Sequence, residues 1–421
     1  CYFMLTYIMV TVYLPPSKWS SIEKYFVKVG FSMLEVIFCV FPAENNFVNA
    51  LVPFIGVREC QKTGRPYEGR NKQQGGIIMK AKKSLPILLA FLFILGAHIV
   101  LPGSVWSEIK LTYANFPPAS TFPSVQMERW AKEVEQRTKG AVKVQTFPGG
   151  TLLPAKNIFD GVITGTADIG NFAMSYQPGR FLVSEAVDMP IGFTSAKAAS
   201  LALYDLIEKY PKEFEKVKLL TLFTCPPADF MTSKPVKSLK DLKGMELRVS
   251  GTGAEAVKRL GGIPIAMPQS ETPEALQKGV VKGVVSSMEI LKDFNFAAYT
   301  PYATDTNLFV VTFAVVMNQE KWNSLPADVK KVFDDLRREQ AEWTATYVDN
   351  HVTEALKWSK EKYNHQVLSL PASEKAQIPG LMKPMIDDYV KRVTAAGLNG
   401  AQIMQDLYKL KDKYEKQFTG K

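Results

Sequence analysis

The chain has 421 residues, 46% hydrophobic and 22% charged, which argues against a disordered, collagen-like or multi-span membrane protein. Its formal net charge of +10 points toward nucleic acid or a membrane surface only until it is split by position. Residues 1–107 hold 11 Lys and Arg against 5 Asp and Glu, whereas residues 108–421 hold 40 against 36, so the basic excess is an N-terminal matter and no nucleic-acid partner is expected.

Residues 79–107 carry a secretory signal pattern. Lys80, Lys82 and Lys83 follow Met79, Leu85 to Leu101 is apolar apart from Pro86, Gly96 and His98, and Val105-Trp106-Ser107 supplies a cleavage site. The apolar stretch is short for a span and contains helix breakers, which favours a cleaved signal over an anchor. Residues 1–78 begin at Cys1 and shift to aromatic and β-branched runs; they are read as upstream sequence from a misplaced start. The competing reading is a short hydrophobic segment lying on or in the membrane. Cys1, Cys39 and Cys60 precede the signal, leaving Cys225 alone, so no disulfide and no zinc cluster is expected in the exported part.

Beyond the signal, strand and helix patterns alternate. Ile109 to Ala114 reads as a strand, and Thr121 to Thr138 as a helix with Met127, Trp130, Ala131 and Val134 on one face and Gly140 as its stop. Val142 to Thr146, Pro154 to Thr164 and Ala167 to Phe172 continue as strand, helix and strand, a series that implies an open, mostly parallel sheet. Sites on such sheets lie at the carboxyl ends of the strands, which draws attention to Asn115, Phe116 and the stretch from Asn171 to Tyr176. Ordinary turn residues would look the same.

A second series opens near Ser238: strands at Met245 to Val249, Ile263 to Met267 and Val280 to Ser286, with helices at Ala254 to Leu260 and Thr272 to Lys278. Phe309 to Met317 is a near-continuous apolar strand of the kind buried on both faces. Ser324-Leu325-Pro326-Ala327-Asp328 is a helix start, and neither Gly nor Pro follows until Pro371. A helix from Ala327 to Asn364 would run about 57 Å, wider than one small domain, and reads as a strut across two lobes. A coiled coil is the alternative, but its heptads would be irregular. Leu381 to Phe418 is again helical.

Most enzyme chemistry is missing. No HExxH, GxSxG or Walker loop occurs, and only His351 and His365 remain beyond the signal. Gly251-Thr252-Gly253-Ala254-Glu255-Ala256 matches the loose dinucleotide pattern, with Glu271 near the spacing of a ribose-binding acid, so an exported dinucleotide-dependent oxidoreductase is the rival reading. Arg248, just before that turn, places a cation where a pyrophosphate fingerprint has an apolar residue. Such an arginine can grip a carboxylate bidentately or serve as a surface ion-pair residue.

Leu242-Lys243-Gly244-Met245-Glu246-Leu247-Arg248-Val249, then Leu260-Gly261-Gly262-Ile263-Pro264-Ile265-Ala266-Met267-Pro268, then Glu271, then Ala275-Leu276-Gln277-Lys278-Gly279-Val280-Val281-Lys282-Gly283 occur in order. This run resembles the DctP-type solute-binding proteins of TRAP (tripartite ATP-independent periplasmic) transporters. Val316-Met317-Asn318, Lys321-Trp322 and Ser324-Leu325-Pro326 look like that family's entry into its long helix, and Gly165-Thr166-Ala167-Asp168-Ile169-Gly170 like its first-lobe strand. The resemblance implies a two-lobed α/β periplasmic binding protein fold, each lobe a sheet flanked by helices, with a long helix spanning both. Lobe I is expected to take residues 108–226 plus 313–350. Lobe II and the C-terminal helices take 227–312 plus 351–421.

The same resemblance implies a monomeric periplasmic receptor without catalytic activity, cofactor or metal, which closes on an organic acid and hands it to a membrane permease driven by an ion gradient. Arg248 falls on the family's carboxylate-binding arginine, and Ser286 stands where relatives have a ligand-contacting Asn. Lys282 and Pro273 depart from the usual Asp and Tyr, and no second cation precedes the arginine strand, which favours a monocarboxylate. Phe116, Phe172, Tyr176 and Phe230 can frame an apolar or aromatic ligand body or serve as lobe core. The full expected contact set is therefore Arg248, Asn115, Phe116, Phe172, Tyr176, Phe230, Glu271 and Ser286. A third reading, from the long helix, is a strut-like assembly protein that binds no small molecule.

Overall fold

A computed structural model describes residues 108–419. The expected signal segment and residues 1–78 lie outside the described residues. Two sheets organise the described part. The first has the order β2-β1-β3-β10-β4, with β1 Ile109–Asn115, β2 Val142–Phe147, β3 Ile169–Ala173, β4 Val217–Thr224 and β10 Thr312–Asn318. The second has the order β11-β9-β5-β8-β6-β7, with β5 Asp229–Thr232, β6 Glu246–Val249, β7 Ile263–Ala266, β8 Gly283–Ser286, β9 Tyr302–Asp305 and β11 Gln366–Ser369.

The expected parallel series is present in β2-β1-β3, but β10 runs antiparallel to both β3 and β4, so the sheet is mixed. The reason lies in the chain path: β10 re-enters the first sheet from the second lobe and slots between strands already laid down in sequence. It is buried along nearly its whole length, as its apolar run demands.

Helices flank both sheets: α1 Phe122–Arg137, α2 Ile158–Ile163, α3 Glu185–Asp188, α4 Ala196–Lys209, α5 Gly253–Arg259, α6 Thr272–Gln277, α7 Ile290–Asp293 and α8 Gln319–Ser324. In α1 the stripe of Met127, Trp130, Ala131 and Val134 is buried, and the helix ends where Lys139 and Gly140 take positive φ. Trp130 meets Tyr113 edge-on at 5.9 Å and Phe333 at 5.0 Å between ring centroids.

Phe333 belongs to α9, Ala327–Tyr363, 37 residues or about 55 Å at the standard rise. Pro326 precedes it in extended conformation and Asn364 ends it at φ 52°. The helix lies along α1, α4 and β4 of the first lobe and α7 of the second, so it does bridge both sheets. Buried Gln340 fixes its register on α1, donating to the Gln126 carbonyl at 2.8 Å and to Gln126 Oε1 at 3.0 Å.

Past α10, Ala372–Lys375, the tail is two helices rather than one: α11 Ile378–Ala395 and α12 Gly400–Thr419, separated at Gly397, whose φ of 88° no helix accepts. α11 reaches α5 of the second lobe while α12 lies on α4 of the first. No described helix is long and apolar enough to cross a membrane.

Candidate ligand-binding cleft

Between the lobes the chain crosses twice in short extended segments, residues 225–228 and 306–311, which bond to each other. Cys225 N donates to the Val311 carbonyl at 2.9 Å, Ala228 N to Phe309 at 2.7 Å, and Leu308 N to Ala228 at 2.8 Å. Buried carboxyls brace this hinge. Asp229 Oδ1 accepts from the amides of Thr306 (2.6 Å) and Asn307 (3.0 Å), and Asp188 Oδ1 accepts from Thr312 N at 2.9 Å. Burial pushes Asp229 up to about 7 and Asp188 up to about 8, their hydrogen bonds opposing.

Beside the hinge lies a cleft of about 490 Å³, its open mouth included. The first lobe supplies Phe116, Pro117, Phe122, Tyr176 and Phe313; the second supplies Arg248, Gln269, Ser286, Glu289, Asp293 and Phe294. Arg248 is only 2% exposed, because β6 is interior in its sheet and delivers the side chain inward. Its Nε and Nη2 donate to the Met267 carbonyl at 3.1 and 2.8 Å, and Nη2 also to Tyr176 Oη at 3.3 Å. Among the described residues Nη1 has no hydrogen-bond partner and no carboxylate lies within ion-pair range of Arg248. Burial accordingly lowers the guanidinium pKa below its usual value. Arg248 is the sole cation lining the cleft among the described residues.

Tyr176 Oη also accepts from Gln269 N at 3.0 Å. With two donors pointing at that oxygen, its own hydrogen is left to donate. Further bonds join the lobes: Asp293 Oδ2 accepts from Phe122 N at 3.2 Å, and Thr252 Oγ1 donates to Asp188 Oδ2 at 3.3 Å; Asp293 Oδ1 also lies 2.6 Å from His351 Nε2 on α9. The Asp293 bond raises the His351 pKa against the lowering effect of burial.

Of the expected contact residues, Arg248, Phe116, Tyr176 and Ser286 line the cleft. The other four sit elsewhere. Asn115 is buried behind it, donating to the Pro123 carbonyl (3.1 Å) and Ser124 Oγ (2.9 Å) and accepting from Asn171 Nδ2 (2.8 Å), so it holds the loop that presents Phe116 and Phe122. Phe172 packs in the core between Phe159 and Phe181, at 4.9 and 5.3 Å. Phe230 is wholly buried on β5, and Glu271 is exposed at the start of α6. Phe122, Phe294, Phe313, Ser250, Gln269, Glu289 and Asp293 also line the cleft without having been expected. An acid flanked directly by Met288, Ile290 and Leu291 was the readable signal for Glu289. Cys225 lines the cleft too, but burial pushes its thiol well above the usual range, leaving a protonated, unreactive group.

Residues 113–392 match the profile of the bacterial extracellular solute-binding proteins, family 7 (DctP). The chain belongs to this family. A TRAP periplasmic solute binding protein from Desulfovibrio salexigens, crystallised as an open complex with the C-terminus of a symmetry mate in its ligand-binding site, is 52% identical. The match covers 73% of this chain and 97% of that one, with TM-score 0.68. A marine metagenome TRAP solute binding protein specific for aromatic acid ligands, in complex with metahydroxyphenylacetate, is 27% identical over 73% of this chain and all of its own, with TM-score 0.70. The monocarboxylate 2-oxoacid-binding periplasmic protein of Nostoc is 28% identical over 225 residues, 51% of this chain and 62% of its own length.

The receptor is therefore an extracytoplasmic solute-binding protein and not an enzyme. Its glycine turn has a packing explanation instead of a dinucleotide. A Cβ on Gly251 would sit 2.7 Å from the Ser175 carbonyl oxygen, and one on Gly253 would strike the Phe309 ring of the hinge. The glycines let the backbone of one lobe approach the other, so the oxidoreductase reading is not favoured, and neither is the strut-like assembly protein.

Proposed function

We propose that this receptor binds an organic monocarboxylate with a largely apolar body in the cleft, closes on it, and delivers it to the membrane permease of a TRAP transporter. The observation that carries the reading is the single buried guanidinium with a free Nη1, the one cation among the described lining residues, facing a wall that includes Phe116, Phe122, Phe294 and Phe313. A carboxylate placed there receives Arg248 Nη1 and the Tyr176 hydroxyl, charge-assisted bonds that offset its loss of water. A second carboxylate would find no second cation and would face Glu289 and Asp293 instead. The aromatic-acid receptor and the Nostoc protein, named for monocarboxylate 2-oxoacids, support a single-anion ligand class. The approach of the lobes through Tyr176, Asp293 and Thr252 supports hinge closure as the binding motion.

The test is calorimetric titration of the purified protein with benzoate, phenylacetate, pyruvate and 2-oxobutyrate against succinate, malate and fumarate. Monocarboxylates should bind and dicarboxylates should bind at least 100-fold more weakly. Dicarboxylates binding as tightly as the best monocarboxylate would overturn the reading.

A further inference from the structure

The cleft holds a polar group that the carboxylate anchor leaves unused. Glu289 follows β8, the strand that pairs with β6 and its Arg248, and is 1% exposed. Ser287 Oγ donates to its Oε1 at 2.6 Å. Oε2 is fully buried, and among the described residues it has no hydrogen-bond partner and no cation within ion-pair range. Two more cleft-lining groups share that condition: Gln269 Nε2 and Ser250 Oγ. An unpartnered buried polar atom is costly, so three around one cavity point to something that completes them on binding. Burial raises the Glu289 carboxyl to about 8, with Asp293 adding to the rise and the Ser287 bond and His351 opposing it. Burial thus favours the neutral acid, a form that can both donate and accept.

We propose that Glu289 determines specificity by hydrogen-bonding, through Oε2, a hydroxyl group carried by the bound monocarboxylate, so that the preferred ligands are hydroxy acids and not their plain parents. This rests on the monocarboxylate reading above and refines it. A hydroxyl suits the site better than a second charged group: its oxygen accepts from the neutral carboxyl or from Gln269 Nε2, and its hydrogen is accepted by Ser250 Oγ or by the Glu289 carbonyl oxygen. It also brings no charge to a cavity with one cation.

The test titrates matched pairs calorimetrically at pH 6.5: benzoate with 3-hydroxybenzoate, phenylacetate with mandelate, and propionate with lactate. In the unaltered protein at least one hydroxy acid should bind tenfold or more tighter than its parent. Glu289→Gln, which keeps a donor and an acceptor in the same volume, should retain most of that preference. Glu289→Leu should reduce the preference below threefold through a loss of hydroxy-acid affinity, whereas a merely structural role for Glu289 would weaken the hydroxy acid and its parent equally and leave their ratio unchanged. A preference that survives Glu289→Leu, or no preference in any pair while the parents bind, overturns the inference and leaves the monocarboxylate reading standing. If no monocarboxylate of any kind binds, both fall.

Discussion

Replacing Arg248 by Met separates the guanidinium's contribution to the fold from its contribution to binding. In the free protein the charge is buried, unpaired and held by two bonds to the Met267 carbonyl and a longer one to Tyr176. Bonds from a charged donor contribute about 1.5–3 kcal/mol each, whereas removing one ion from water costs several kcal/mol. The two nearly cancel, so Arg248→Met should change the unfolding free energy by no more than about 1 kcal/mol. Binding is different. Losing one member of a buried, hydrogen-bonded charge pair costs about 2–5 kcal/mol, a weakening of roughly 30-fold to several thousand-fold. The assay is thermal unfolding with and without the best-binding acid. At 100 times its dissociation constant the ligand should stabilise the unaltered protein by about 2.7 kcal/mol, and the variant at the same concentration by under ~1 kcal/mol. A variant that keeps the full ligand-induced shift would refute the anchor. One that unfolds several kcal/mol more easily would refute the cancellation.

Other perturbations address the hinge and the core. Asp188 has its folded pKa raised to about 8 from 3.8, so the native state holds a proton that the unfolded chain releases, and stability should fall between about pH 4 and pH 8. Asp188→Asn should flatten that fall by up to ~1.4 kcal/mol per pH unit in urea titrations, and parallel curves would show that Asp188 does not titrate. His351, whose folded pKa is raised by Asp293, contributes stability that is complete below the unfolded value near 6.5 and lost above the folded one. His351→Gln should therefore destabilise the protein more at pH 5 than at pH 9, and the opposite order would remove the Asp293 bond as the cause. Phe333→Ala opens a void between Trp130 and Trp322 and should cost about 3–5 kcal/mol in denaturant unfolding. A loss under 1 kcal/mol would mean that the two indoles collapse into the space.

What was legible in the sequence divides along physical lines. Elements with a strong period and clean punctuation were readable: α1 by its buried stripe, and α9 by the Pro326 start and the long absence of Gly and Pro. The strands β5, β9 and β11, four residues each, are no shorter than β6, β7 and β8, but those three stand in a regular strand–helix alternation that marks them, whereas β5, β9 and β11 lie outside it and pair with partners far away in sequence. The orientation of β10 was hidden for the same reason, since apolar runs look alike in either direction. At the site, Arg248 was found because a charged residue inside a strand has few cheap explanations. Phe172 and Phe230 could not be told from cleft aromatics, because facing the core and facing the cleft both select phenylalanine. Glu271 was chosen from its sequence spacing, which carries no information about whether its side chain faces the cleft or solvent.

The place of β10 has a consequence for how this chain reaches its native state. In the first sheet β4 has one neighbour, β10, and β3 needs β10 on its open side, yet the entire sheet-forming stretch from Asp229 to Asp305 comes between in sequence. The second sheet waits in turn for β11, which follows α9. Neither half can close its hydrogen bonds from a contiguous segment, so the first lobe stays unfinished until residue 318 is available and the second until residue 369. Contacts of such long sequence separation slow folding. A chain bound for the far side of a membrane gains from that delay, because it remains threadable until nearly all of it has been delivered.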